Sequence, residues 1–250
     1  MRTRRIALAV ALIAAAAGAL YAKKKENWID QPFTKWSVKD VRTILGKSPW
    51  AETKAFRGVV TGEHGSFNPN ATGTGGGTLG VDVPNFEFTA VFFTALPVRE
   101  AYVRMFQIEN HYDTLPAAKQ QAFNRVPTID ALLHGDVSKE IIVNLTFHCN
   151  DPIAMRDLTQ WFNTQTVDTL KQNAYLYANS TQLQLMKYES PSQAHGIARF
   201  IFPRQQNGEP VLSSPSGKLR FQLSYVPGPN QQVYIDFRPE NMVYDGKLAY

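Results

Sequence analysis

Residues 75–80, Gly-Gly-Gly-Thr-Leu-Gly, have the G-x-G-x-x-G spacing that lets a backbone approach a pyrophosphate. That chemistry needs a strand before the motif and a helix opening after it, so that the helix N-terminus meets the phosphates. Here a turn and a strand-like run over residues 81–93 follow instead, and the motif reads as a loop. No G-x-x-x-x-G-K-[ST] run occurs. The five histidines, His64, His111, His134, His148 and His195, share no H-x-H or H-E-x-x-H spacing, so no single element presents two of them to a metal. Cys149 is the sole cysteine, which excludes an intrachain disulfide and a cysteine-rich zinc site. His148 and Cys149 are neighbours on a strand-like run and point to opposite faces, so they cannot act as a nucleophile–base pair. Cys149 therefore reads as a buried thiol. No G-x-S-x-G elbow is present, and Gly65-Ser66 beside His64 is its nearest approach. No motif places a nucleophile beside a base, so the sequence assigns no catalytic residue, metal or cofactor.

The aromatic residues offer a different chemistry. Trp28, Trp36 and Trp50 fall within one opening segment, and clustered tryptophans can grip a glycan or a protein partner. The alternative is that they clamp a terminal arm onto the domain, since large aromatics are usually buried. Arg99 and Arg104 share the side expected to be exposed on a helix that starts at Pro97. These five residues are the contact candidates.

The elements that would position them follow from periodicity. Ser37 caps a short helix carrying Val41, Ile44 and Leu45 on one side, and Gly46 with Ser48-Pro49 ends it. Residues 55–62 are strand-like, and residues 62–85 form a Gly, Asn, Thr and Pro loop. Phe86, Phe88, Ala90 and Phe92 alternate on one strand face. Pro97 opens a helix with Val98, Ala101, Tyr102, Met105 and Ile108 as its stripe. A more polar helix is expected from Pro116 to Arg125. Ile141, Val143, Leu145 and Phe147 mark a half-buried strand. Asp151-Pro152 starts a helix that buries Ala154, Leu158, Trp161 and Phe162, and the pattern blurs after residue 165. Alternating runs at 182–186, 198–202, 218–225 and 233–237 then follow, with a turn at 227–230 and an Asp245-Gly246 hairpin signal. The expected fold is α+β: an antiparallel sheet with one wet face and two main helices packed on the other.

The chain has 250 residues, 44% apolar and 19% charged, which is a globular balance without internal repeats. Arg2, Arg4 and Arg5 precede an apolar run of 12 residues, 6–17, and Ala17-Gly18-Ala19 fits a cleavage site. Residues 1–22 read as a secretory signal peptide, 23–54 as an aromatic segment with a short helix, and 55–250 as one α+β domain. An uncleaved N-terminal anchor is the alternative. The formal net charge is +5, but residues 1–19 hold three arginines and no acid. The remainder has 23 basic and 21 acidic residues, so the basic balance is no sign of nucleic-acid binding. Asn70, Asn144 and Asn179 stand in N-x-[ST] acceptor triplets.

Four segments together are similar to a known group. They are Ser48-Pro49-Trp50-Ala51, Ala95-Leu96-Pro97-Val98-Arg99-Glu100-Ala101, Phe200-Ile201-Phe202-Pro203-Arg204, and the closing Asn241-Met242-Val243-Tyr244-Asp245-Gly246-Lys247-Leu248. In this order the chain resembles a group of uncharacterised exported proteins of soil bacteria. It departs from the group's pattern at Phe92 and Phe93, where a Trp is usual, and at Asn241, where an acid is usual. The resemblance implies export and a single domain running to the C-terminus, and it implies no activity.

The reading that follows is a periplasmic or secreted, non-enzymatic binding or envelope-assembly protein. It would use a sheet face or the aromatic segment. Its expected partner is a protein or another envelope component, with no nucleic acid and no integral membrane segment after signal cleavage. An exported hydrolase, its site gathered from distant strands, is the alternative.

Overall fold

A computed structural model describes residues 27–57, 84–227 and 232–250. The apolar N-terminal run, the 75–80 motif, His64, Ser66, Asn70 and the turn at 228–230 lie outside the described residues.

Among the described residues, nine strands form two antiparallel sheets. The larger orders β1 (Ala51–Arg57), β2 (Asn85–Phe92), β3 (Glu140–Cys149), β7 (Ala198–Pro203) and β6 (Lys187–Glu189), with each strand bonded to the next. The smaller orders β11 (Gln232–Phe237), β10 (Leu219–Ser224), β4 (Ala174–Ala178) and β5 (Thr181–Gln184). Two short ribbons, β8 (Gln205–Gln206) with β9 (Glu209–Pro210) and β12 (Val243–Tyr244) with β13 (Lys247–Leu248), complete the pairings.

The hydrophobic alternation of the strands explains why the two sheets stack. Cross-strand pairs put Phe88 beside Phe147, Ala90 beside Leu145, and Val143 beside Phe200 on one face of the larger sheet. That face meets the inner face of the smaller sheet through edge-on aromatic contacts. Phe92 to Phe237 is 4.6 Å between centroids, and Phe200 to Phe221 is 5.1 Å. Burying such faces supplies the main driving force, at about 25 cal/mol per Å² of apolar surface.

The helices are α1 (Val38–Gly46), α2 (Leu96–Glu109), α3 (Ala117–Asn124), α4 (Pro127–His134), α5 (Pro152–Thr164) and the single turn α6 (Val167–Leu170). Three of their starts follow the sequence chemistry. The Ser37 hydroxyl accepts from the Asp40 amide in a reciprocal capping box, Asp151 accepts from the Ala154 amide at 2.7 Å, and Pro97 sits in the first turn of α2.

The α+β class and the antiparallel pairing are as the sequence implies. The layering is a correction to a single sheet with both main helices on one face. Phe162 of α5 stacks on Phe147 at 4.4 Å, on the inner face of the larger sheet. Tyr102 of α2 meets Asn144 and lies near Arg199, which belong to the opposite face. The reason is that α5 turns its apolar side onto the inner face of β3, where Leu158 and Phe162 are fully buried. Meanwhile α2 covers the outer face and is itself covered by α1 and α4. Among the described residues, no helix is long and apolar enough to cross a membrane.

Candidate functional site

The five contact candidates are all inside. Trp28 is 2% exposed, and Trp36 and Trp50 are 0% exposed. The rings pack edge to face, Trp28 against Trp36 at 5.6 Å and against Trp50 at 6.1 Å. The N–H groups of Trp36 and Trp50 are committed to the backbone. Trp36 Nε1 donates to the Trp28 carbonyl at 2.8 Å, and Trp50 Nε1 donates to the Ala249 carbonyl at 2.6 Å. The clamp is thus the role these tryptophans take, and they share one hydrophobic core with the strands.

Arg99 and Arg104 are a correction of the same kind, because α1 and α4 cover the sides of α2 that a lone helix would leave wet. Arg104 donates from Nε to the Trp36 carbonyl at 2.9 Å, and its two terminal nitrogens grip Asp113 at 3.0 and 2.7 Å. This guanidinium holds the Asp113 carboxyl below its ordinary pKa. Arg99 donates from Nη1 to the Gly135 carbonyl at 3.2 Å, while its buried Nε has no partner, and burial lowers its pKa.

Other chemistry-bearing groups fare no better as an active site. Cys149 is buried and burial pushes its thiol up, away from a reactive thiolate, although it borders a shallow depression of about 620 Å³ along α5. His111, His134, His148 and His195 are exposed on separate elements. Among the described residues, no three His, Cys, Asp or Glu side chains are placed to hold a metal. Asn144 is 2% exposed, closed to any glycosylating enzyme. Asn179 stands at φ 57° in the two-residue turn between β4 and β5. Its carboxamide oxygen accepts from the Lys218 amide at 2.9 Å. That oxygen would lie 2.4 Å from a Cβ at position 217, which is why Gly217 is there.

One acidic cleft stands out. Ile29, Asp30, Phe33, Glu100, Tyr244 and Asp245 line about 350 Å³. The Tyr244 hydroxyl donates to Glu100 Oε2 at 2.6 Å. Burial raises the pKa of Glu100, against the opposing effects of that hydrogen bond and of Arg99, and Asp245 adds repulsion.

The surface that does present functional groups is the outer face of the smaller sheet. Its strands alternate. Ala174, Leu176 and Ala178 point inward and are buried, and Tyr175 and Tyr177 are half-buried on the other side. Pairing builds two cross-strand rows on that side. One runs Gln184, Tyr175, Gln222, Tyr234, and the other runs Gln182, Tyr177, Arg220, Asp236. Arg220 holds Asp236 through Nε at 2.6 Å and Nη2 at 3.0 Å, and its guanidinium lies 5.4 Å from the Tyr234 ring centroid. The Tyr177 hydroxyl donates to Gln182 at 3.0 Å, and the Tyr234 hydroxyl donates to Gln232. A depression of about 250 Å³ opens among Tyr177, Asn179, Lys218, Arg220, Gln222 and Asp236. Among the described residues, no helix covers these rows.

No family model, curated protein or solved structure matches the chain. The site therefore rests on this geometry alone. Sequence reading names none of its tyrosines, yet the signal is present. Residues 174–178 alternate small or aliphatic with Tyr, and residues 181–184 answer with Gln on the matching side. The blurred pattern after residue 165 hides β4, because α6 and a turn separate it from α5.

Proposed function

We propose that the protein is exported and acts as a non-enzymatic binding or envelope-assembly protein, with the outer face of the smaller sheet as its contact surface. The basic n-region and apolar run at the N-terminus support export. The observation that carries the binding role is the pair of rows headed by Tyr175 and Tyr177. They set half-exposed rings among amides on one sheet face. Rigid tyrosines lose little side-chain entropy on contact and bring both a ring face and a hydroxyl. The test is co-sedimentation of the protein with the envelope fraction of its own cells. Wild type is expected in the pellet and a Tyr175→Thr, Tyr177→Thr variant in the supernatant. Equal sedimentation of the two would falsify the assignment of the surface.

A hydrolase is the second reading, and the acidic cleft is the observation that favours it. A half-buried Glu100 with a raised pKa is suited to general acid work, with the Asp245 carboxyl lining the same cleft. Hydrolysis of glycoside or ester substrates that is abolished by Glu100→Gln, with the fold intact, would move the assignment to that cleft.

A further inference from the structure

The outer face of the smaller sheet also carries information about the chemistry of its occupant. Four strands at a spacing of roughly 4.8 Å make a surface roughly 14 Å across. Tyr175 and Tyr177 hold their ring centroids 6.1 Å apart, with planes inclined by 57°. Tyr234 adds a third ring two strands away from Tyr175, in the same row. The outward positions of β4, β5, β10 and β11 hold no Val, Ile, Leu, Met or Phe. Their only charges are Arg220 and Asp236, which are bound to each other.

Three kinds of occupant can be weighed against that inventory. A protein partner with a desolvated apolar centre would strand the glutamines and the ion pair, at a cost of about 1–3 kcal/mol for each unsatisfied polar group. A nucleic acid or other polyanion needs a net positive stripe, and here the one strand guanidinium is cancelled by Asp236, leaving Lys218 at the margin. An uncharged molecule with flat C–H faces and many hydroxyls matches every group. Its C–H faces lie against the electron-rich tyrosine rings, and its hydroxyls both donate to and accept from the glutamine amides. The charge complementarity is that of neutral with neutral. The depression of about 250 Å³ along the row of Tyr177, Arg220 and Asp236 has room for a ring to settle.

We propose that this face binds an uncharged polysaccharide chain, with Tyr175, Tyr177 and Tyr234 as stacking platforms and Gln182, Gln184 and Gln222 as hydroxyl partners. The proposal rests on the preceding reading that this face is the contact surface, and it names the ligand class.

The test is native affinity electrophoresis of the protein purified from its own cells, with whatever N-terminus it carries there. Separate gels contain hydroxyethylcellulose, xyloglucan, galactomannan or dextran, and polygalacturonate serves as the anionic control. Wild type is expected to be retarded in at least one neutral gel. The Tyr175→Thr, Tyr177→Thr variant, which keeps β-branched residues in the strand, is expected to bind at least tenfold more weakly with an unchanged melting curve. Gln182→Ala, at an exposed position that cannot unfold the sheet, is expected to weaken retardation severalfold. Free migration of wild type in every neutral gel, retardation by polygalacturonate alone, or equal retardation of the variants overturns the proposal. If wild type migrates freely but the tyrosine variant still loses its envelope sedimentation, the contact surface stands and only the ligand class falls. If the variant is indifferent in both assays, the contact surface falls as well.

Discussion

The tryptophan clamp and the tyrosine face are assembled from the same parts. Each has three aromatic rings, and each has an arginine gripping an aspartate with two nitrogens, Arg104 with Asp113 and Arg220 with Asp236. What separates them is cover. Arg104 is 6% exposed under α1, and it also donates to the Trp36 carbonyl. Arg220 and Asp236 are 47% and 63% exposed at the side chain. Residue type therefore does not distinguish a structural cluster from a contact surface here; the elements stacked above the residues do. The clamp should govern stability and leave binding alone, and the face should do the reverse.

The largest effect is expected at Trp36. Truncation to Ala removes a fully buried ring, its contacts to Trp28 and Phe33, and a bonded N–H, for a loss of about 3–5 kcal/mol in urea unfolding. If Trp36→Ala kept its stability and lost envelope binding, the comparison would be inverted. Arg104→Met comes next. It leaves the Trp36 carbonyl without its donor and returns Asp113 to water, for a loss of about 1–3 kcal/mol. Its pH dependence has a definite sign. The folded pKa of Asp113 lies below its unfolded value, so the stability it contributes is present above the unfolded pKa and lost as pH falls through the folded one. Arg104→Met should flatten that acid limb, and an unchanged limb would mean that the pair does not form in solution.

A smaller effect, of opposite sign, is expected from Glu100→Gln at the margin of the clamp, where Tyr244 also packs against Trp50 at 6.3 Å. Burial raises the folded pKa of Glu100, so its contribution is fully present below the unfolded pKa and lost as pH rises through the folded one. Gln still accepts from Tyr244 and cannot ionise. The variant should therefore gain on wild type as pH rises from 4 to 7 in thermal melts. A variant less stable at pH 7 would show that Arg99 holds the carboxylate ionised.

How much of this is legible in the sequence follows the range of the forces involved. Caps are local, so Ser37, Asp151 and Pro97 announce their helices correctly, and the Asp245-Gly246 turn closes β12 on β13 with positive φ at both residues. Strand alternation is local too, and it marks Phe86, Phe88 and Ala90 as one face. Which sheet a strand joins is not local. Periodicity does not show that residues 219–223 pair with 174–178 rather than with the earlier strands, so one sheet is expected where two exist. The same gap hides the site. The tyrosines of β4 and β11 come together only through β10. Conversely, Arg99 and Arg104 look exposed on a helical wheel because the wheel omits α1 and α4.

The smallest effect is the sharpest test of the comparison, because it uses the element that the two regions share. A double-mutant cycle on Arg220→Ala and Asp236→Ala should return a coupling of about 0.2–1 kcal/mol, since water screens both partners and the ordered geometry costs side-chain entropy. Urea unfolding of the four proteins measures it. The same four proteins in the sedimentation assay should lose binding in each single variant, because each leaves a lone charge among neutral groups. The double variant should recover part of it by restoring neutrality. A coupling well above 1 kcal/mol would mean that something covers the pair in solution. The outer face would then be interior like the clamp, and the contact surface would have to lie elsewhere.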